Sequence, residues 1–491
     1  MLNQHNKTKY STIFKYFQSE GLNFFLTGNE LKCYPNWYYL LNYLINSYNS
    51  SVKINNKRQN IISRFLKIFI KSIKNSLQRG KYDKIDLIFV SRRRFIPVTI
   101  LPIDTFSDYL FFNLIEEIHK KYPNIKMKLL IDEEPDCTLN IEAENIFNNY
   151  HFSDFIRSIL YSIKYWFLGN YFHYKEYQNT PLSTIGLFFQ LKRLFSCSYY
   201  DFAYYNSFMK SGAKLIIAND DCLYLKPKLK NFNFKFYSVQ SASMIPELEK
   251  INKFFIEYFG DESNKADIFF CTGKYFQELK KYSLTSKKVI ISGQTRYDHL
   301  TKKYFSKDEL YKKYNINNER KILLWATQTH GNDNEENIRM ILAFNQAVRD
   351  IENVQIIIKL HPGEDQTAIL YKKYSDFRPL IFGKEADTNE LLYISDIMVT
   401  KNSTTAMEAV VLDVPIIILN LSGEPDIVNY VKEGVALGAY NEKEFSEEIK
   451  YFLNNRNLLQ ANREKFIEKY LNRVDGGASQ RIIDNIELQQ L

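Results

Sequence analysis

From residue 84 onward, short apolar runs that do not alternate with polar residues take turns with amphipathic stretches. In the first half these runs are "KIDLIFV", "IKMKLLID", "AKLIIAND", "FKFYSVQ", "ADIFFCT" and "KKVIISG"; in the second half they are "RKILLWATQ", "VQIIIKL", "PLIFG", "DIMVTK" and "VPIIILN". Runs of four to eight apolar residues without alternation are what strands covered on both faces require. Helical stretches such as "FSDYLFFNLIEEIHKKY", "NEENIRMILAFNQAVRDI" and "TTAMEAVVLD" stand between them, so the rhythm predicts parallel, doubly wound sheets.

The rhythm breaks in two places and so divides the chain. Residues 1–80 read as an N-terminal helical region, and 81–300 as a Rossmann-like domain carrying an aromatic helical insertion at about 137–210. A Lys/Tyr/Asn-rich linker over 301–319 leads to a second Rossmann-like domain, 320–491, which closes with C-terminal helices. The fold class expected is α/β, two Rossmann-like domains facing across a cleft. A length of 491 residues suits such a division at ~100–200 residues per domain.

Composition narrows the partners. The net charge of +9, from 65 Lys plus Arg against 56 Asp plus Glu, favours nucleotides, phosphorylated lipids or an anionic membrane face; no nucleic-acid partner is expected. The five cysteines include no Cys-x-x-Cys pair, so neither a disulfide framework nor a zinc site is indicated. No signal-peptide core and no run of ~18 apolar residues is found, which predicts a cytoplasmic protein with no membrane span. The aromatic stretch Phe155 to Tyr177 carries Arg157, Lys164 and Lys175. It reads as a buried aromatic helix, with a flat position on a bilayer as the alternative.

Ligands of open parallel sheets sit beyond the carboxyl ends of the strands. Three such ends in the second domain gather polar groups: "TQTHGND" with Thr329 and His330, "HPGED" with His361 and Pro362, and "KNSTTAMEA". Pro362 forces an extended conformation on His361 and stops the strand. Asn402, Ser403, Thr404 and Thr405 lie at the start of a helix, where free N–H groups and hydroxyls suit a phosphate. Glu408, one turn further, is placed to accept hydrogen bonds from a ribose or sugar hydroxyl.

The pair "KLHP" and "SDIMVTKNSTTAMEAVVLDVPIIIL" resembles the nucleotide-binding half of bacterial surface-polysaccharide transferases of the GT-B fold. These include capsule and lipopolysaccharide Kdo transferases, sialyltransferases and CDP-glycerol glycerophosphotransferases. "VIISGQTRYDHL" resembles their interdomain Gly-x-x-Arg-Tyr-Asp segment. The resemblance implies that His361, Ser403 and Thr404 bind the donor's phosphates. Where many CDP-glycerol-type relatives carry Gln-His-Gly, this chain has "VQSAS", with Ser241 in place of the histidine.

Transfer to an acceptor hydroxyl calls for a general base. Asp220 and Asp221 after "AKLIIAN" are the first candidates, ahead of Asp132, Glu133 and Glu134. No metal-ligand cluster or Asp-x-Asp motif stands at a strand end, so metal dependence and cofactors are not expected. Stabilisation of the leaving phosphate then falls to His361, the helix start and Arg296. The activity expected is a glycosyltransferase that moves a sugar from a nucleotide-sugar donor to a polysaccharide or lipid-linked acceptor at the inner membrane face. A glycerophosphotransferase, a UDP-GlcNAc 2-epimerase-like enzyme and an inactive binding homologue are the alternatives.

Overall fold

Each apolar run forms a strand. The first half contains β1 (Leu87–Val90), β2 (Phe95–Pro97), β3 (Thr105–Asp108), β4 (Met127–Ile131), β5 (Thr138–Leu139), β6 (Ala143–Asn145), β7 (Leu215–Asn219), β8 (Lys235–Val239), β9 (Ala266–Cys271) and β10 (Ser286–Ile291). Seven of them make one parallel sheet in the order β10-β9-β8-β7-β1-β4-β6. The computed structural model describes residues 61–77, 84–90, 95–97, 105–108, 110–132, 138–139, 141–163, 184–220, 226, 233–241, 262, 265–279, 285–300, 306–328, 335–349, 351–361, 364, 368–423, 425–426 and 428–490.

Strand β1 shows why the runs do not alternate. Leu87 and Phe89 pack into a cluster with Phe111, Leu114 and Ile115, whereas Ile88 and Val90 face the opposite cluster with Tyr199 and Phe208. Both faces are dry, so an apolar residue is needed at every position. Among the described residues of this half, α1 (Ile61–Leu77), α2 (Phe112–Lys121) and α3 (Thr184–Ser211) are helices, and residues 152–163 and the short segment Lys274–Gln277 are also helical. The long helix α3 lies in the expected insertion and stacks Tyr199 on Phe147 at 4.2 Å between ring centroids.

Several elements lie off the expected pattern. Strands β2, β3 and β5 form a separate small sheet, and Phe106 to Asp108, expected as the start of a helix, pairs antiparallel with Phe95–Pro97. Asp108 ends that strand by accepting the Leu110 and Phe111 N–H groups at 2.9 Å each. Along the stretch from Phe155, Phe155 is buried, but Ile156, Leu160 and Ile163 are exposed; residues 164–183 lie outside the described residues.

The second half holds β11 (Lys321–Ala326), β12 (Val354–Lys359), β13 (Leu380–Phe382), β14 (Ile397–Thr400), β15 (Ile416–Leu419) and β16 (Leu437–Ala439), all parallel in the order β13-β12-β11-β14-β15-β16. Its helices are α4 (Lys307–Lys313), α5 (Glu335–Ala347), α6 (Ile369–Tyr374), α7 (Thr388–Tyr393), α8 (Thr405–Val411), α9 (Glu442–Asn454) and α10 (Gln460–Phe466). The fold class is the expected one, α/β with two Rossmann-like parallel-sheet domains. The strand order reverses between β11 and β14 in this sheet and between β1 and β7 in the first. Such switch points are where an open α/β sheet leaves a crevice.

The end of the chain crosses back. Residues grouped with the second domain in the sequence, Ile482, Ile483, Ile486 and Leu488, pack into the core of the first sheet beside α2. Helix α11 (Ala478–Ile483) starts there, with the Asp298 carboxylate accepting the Ala478 and Ser479 N–H groups at 2.9 and 2.7 Å. Gly273 is obligatory at this crossing, because a Cβ there would collide with the backbone carbonyls of Lys469 and Tyr470.

Candidate functional site

The carboxyl ends of β11, β12 and β14 are stitched to one another. The Thr327 N–H donates to the Lys359 carbonyl at 3.0 Å, which ties the end of β11 to the end of β12. The Thr400 hydroxyl donates to the Ala326 carbonyl at 3.1 Å, and the Asn402 N–H donates to Gln328 Oε1 at 3.0 Å. Thr327 and Gln328 thus bind the loop bearing His361 on one side and the turn bearing Ser403 on the other.

His361 is exposed, while its backbone is held. Its N–H donates to Thr327 Oγ1 and to Glu364 Oε2, both at 2.9 Å, and its carbonyl accepts the Glu364 N–H at 3.0 Å. The Glu364 carboxylate also accepts from the Thr327 hydroxyl, from Asn337 Nδ2 at 3.2 Å and from the Tyr371 hydroxyl at 2.6 Å. Burial, together with the Glu364 charge, raises the Tyr371 phenol far above its usual range, so it serves only as a donor. Beneath this loop the buried Lys359 donates to the Gly383 and Leu360 carbonyls at 2.7 and 3.3 Å. Burial lowers its pKa against the pull of Glu385 and Asp387.

In the Ser403 turn, Ser403 Oγ accepts the Thr405 N–H at 3.2 Å and the Ser403 carbonyl accepts the Ala406 N–H at 3.2 Å. Ser403, Thr404 and Thr405 are half-buried, which leaves their hydroxyls able to meet a ligand. The Tyr430 hydroxyl braces the turn from below by donating to the Ser403 carbonyl at 3.2 Å.

Arg296 and Glu408 meet each other. Arg296 Nη2 lies 3.2 Å from Glu408 Oε1, with both side chains about 95% buried or more (3% and 5% exposed), and also donates to the Tyr297 hydroxyl at 2.6 Å. Burial opposes the Arg296 charge, yet Glu408, Tyr297 and Tyr430 outweigh it and hold the guanidinium firmly protonated. The pair joins the segment after β10 to α8 of the other sheet. Gly293, at the head of this segment, has φ +82°, a backbone conformation that glycine adopts without strain.

On the first sheet, Asp220 follows β7 and Ser241 follows β8. Asp220 Oδ1 accepts from both the N–H and the hydroxyl of Ser241, at 3.0 and 2.7 Å. Asp221, Thr329, His330 and Pro362 lie outside the described residues. Among the described residues, no group of three or more His, Cys, Asp or Glu is arranged to hold a metal ion, and no helix is long and apolar enough to cross a membrane.

The sequence reading passed over two side chains. Glu364 carried a local signal, an acid three residues after His361, where its carboxylate folds back on the histidine N–H. Tyr430 carried none, because its tie to Ser403 spans 27 residues.

Comparison with known proteins bears on these loops. Residues 247–488 match the family described as CDP-Glycerol:Poly(glycerophosphate) glycerophosphotransferase. The chain resembles those transferases. The matched region takes in the Arg296 segment, the His361 loop and the Ser403 turn. A teichoic acid poly(ribitol-phosphate) polymerase of Bacillus spizizenii is 25% identical over 214 residues, 41% of this chain and 34% of the relative. The chain thus spans about a third of the length of that curated relative. Among solved structures, the wall teichoic acid polymerase TagF aligns with a TM-score of 0.50 at 14% identity, over 87% of this chain and 96% of that one. A UDP-bound S. aureus MnaA aligns with a TM-score of 0.50 at 12% identity, over 83% and 97%. At such identities the likeness is one of fold, which a transferase and a nucleotide-bound neighbour share.

Proposed function

We propose that the chain transfers a polyol phosphate, of the glycerol phosphate type, from a cytidine-diphosphate-activated donor to the growing end of a teichoic-acid-like surface polymer. Sugar transfer, the leading expectation from the sequence, gives way to its alternative. The observation that carries the reading is that the family match over 247–488 covers the stitched strand ends of the second sheet.

The chemistry follows from what moves. Glycosyl transfer breaks the bond between the sugar's anomeric carbon and the phosphate oxygen, and releases the whole nucleotide of the donor, a diphosphate from an NDP-sugar or a monophosphate from a CMP-sugar. Glycerophosphate transfer breaks the phosphoanhydride: an acceptor hydroxyl attacks the phosphorus that bears the polyol, the bond to the inner phosphate opens, and cytidine monophosphate leaves. Charge gathers on the phosphoryl oxygens in both cases, so fixed donors at that point lower the barrier. In this reading His361 and the hydroxyls of Ser403, Thr404 and Thr405 supply those donors. The Arg296–Glu408 pair holds α8 against the first domain, and Asp220, oriented by Ser241, takes the acceptor proton. The acceptor is a lipid-linked polymer reached at the inner face of the membrane.

The test is the identity of the nucleotide released when CDP-glycerol and a glycerophosphate-primed acceptor are supplied together. CMP in step with polymer growth is expected. No CMP release from CDP-glycerol, with transfer from a nucleotide-sugar instead, would return the reading to a sugar transferase, and turnover of a UDP-sugar without acceptor would return it to an epimerase.

A further inference from the structure

Lys401 stands at the carboxyl end of β14, two residues before Ser403. Its neighbours in sequence are both tied to the end of β11, Thr400 through the Ala326 carbonyl and Asn402 through Gln328. Ile397 and Val399 of β14 pack with Met340, Ile341 and Phe344 of α5, whereas Met398 packs with Ala406 and Met407 of α8. Lys401 is in step with Ile397 and Val399, so strand alternation sends it toward α5. There its ammonium pairs with the carboxylate of Glu336, in the first turn of that helix.

The pair lies at the switch point of the sheet. Strands β11 and β14 are neighbours, α5 follows the first and α8 the second, and the two helices pack on opposite faces, so the crevice opens between their starts. The Lys401 and Glu336 side chains are 13% and 18% exposed, sheltered from salt yet open to a ligand. Helix α5 has thirteen residues with Glu335 and Glu336 in its first turn, where the positive end of the helix dipole favours carboxylates. Glu336 therefore does not need the lysine. The lysine needs Glu336, because the same dipole repels an ammonium.

Charge identifies what this ammonium is for. A diphosphate brought to the strand ends carries negative charge that hydroxyls alone do not balance. Two other fixed cations nearby are committed: Arg296 is buried against Glu408, and Lys359 lies beneath the His361 loop, donating to the Gly383 and Leu360 carbonyls. We propose that Lys401 binds the diphosphate of the donor and that Glu336 holds the ammonium in place until the phosphate displaces it. The diphosphate brings more charge and more acceptor oxygens than one carboxylate, and the released Glu336 keeps the favourable end of α5. The assignment rests on the proposed function in taking the ligand to be a nucleoside diphosphate ester; the identity of the base does not enter it.

The experiment is calorimetric titration of CDP and of UDP into the intact wild-type protein, Lys401→Met and Glu336→Gln. Lys401→Met keeps the length of the side chain and should bind CDP about tenfold to a hundredfold more weakly, the loss of a hydrogen bond to a charged group. Glu336→Gln should bind CDP about threefold more tightly, because the diphosphate no longer competes with a carboxylate. Such a gain cannot come from damage to the fold, whereas a pair that merely clasps α5 to β14 predicts a loss in both variants. Wild-type CDP affinity in Lys401→Met, or unchanged or weaker CDP binding by Glu336→Gln, overturns the inference. Binding of UDP in preference to CDP, with the same loss in Lys401→Met and gain in Glu336→Gln, would sink the cytidine donor of the proposed function and leave Lys401 in its role. CDP binding that depends on Lys401 without CMP release from CDP-glycerol would do the same, and a wild type that binds neither nucleotide overturns both readings.

Discussion

Replacing Glu364 tests whether the His361 loop is held from below. Four donors converge on its carboxylate: the Thr327 and Tyr371 hydroxyls, the His361 N–H and Asn337 Nδ2. In Glu364→Ala the His361 N–H keeps Thr327 Oγ1 at 2.9 Å, and the Thr327 hydroxyl can redirect to the Lys359 carbonyl at 3.3 Å. Tyr371 and Asn337 are both buried, at 2% and 3% exposure, so the loss falls on the Tyr371 hydroxyl, the shorter bond at 2.6 Å, and on Asn337 Nδ2 at 3.2 Å. A buried donor deprived of its acceptor costs about 1–3 kcal/mol, and that is the destabilisation expected in urea melts. Glu364→Gln retains an acceptor and should cost about 1 kcal/mol or less, the difference between charged and neutral hydrogen bonds. Adding Tyr371→Phe to Glu364→Ala removes the stranded hydroxyl and should recover about 1 kcal/mol or more of the stability. It should not restore nucleotide affinity, which depends on the His361 turn and is expected to fall about tenfold in both Ala variants. Wild-type stability in Glu364→Ala, or no coupling to Tyr371→Phe, would show that the carboxylate does not organise the loop.

Three further outcomes follow from the same contacts. Arg296→Met or Glu408→Met alone leaves a buried charge without its partner and should cost about 3–5 kcal/mol, whereas the double variant should fall close to wild type; urea melts of all three decide it. Asp387, whose pKa is pushed up to about 7 by burial and by Glu390, binds a proton in the native state that the unfolded chain has released above pH ~4. Stability should therefore fall as pH rises from about 4 to 7, by at most about 4 kcal/mol at 1.36 kcal/mol per unit. Asp387→Asn should flatten that slope, and melts at pH 5 and pH 8 measure it. Asp220→Asn should lower turnover by about 10²–10⁴-fold with donor affinity unchanged, and Ser241→Ala by a smaller factor; normal turnover in both would place the base elsewhere.

How much of this was legible depends on the range of each interaction. Strands β1, β7, β11 and β14 were readable because a strand buried on both faces writes its burial into four or five adjacent residues. The small sheet was not: β2 contains Pro97, β5 is two residues long, and Phe106 sits where an amphipathic helix reads equally well, so only pairing with distant residues makes a strand there. The crossing of the chain end was hidden for the same reason, since Asp298 caps a helix 180 residues away. At the site, His361 and Ser403 stood out because a sheet presents its strand ends locally. The partner of Glu408 could not be read, since Arg296 lies in the segment that follows β10 of the other sheet and only the folded chain brings them together.

The most direct test of the site is calorimetric titration of CDP-glycerol into the wild-type protein, His361→Ala and Ser403→Ala. If the stitched ends of β12 and β14 hold the diphosphate, each variant should lose about 1.5–3 kcal/mol of binding, roughly ten- to a hundredfold, while melting with the wild type. Unchanged affinity in both variants would mean that the nucleotide binds elsewhere.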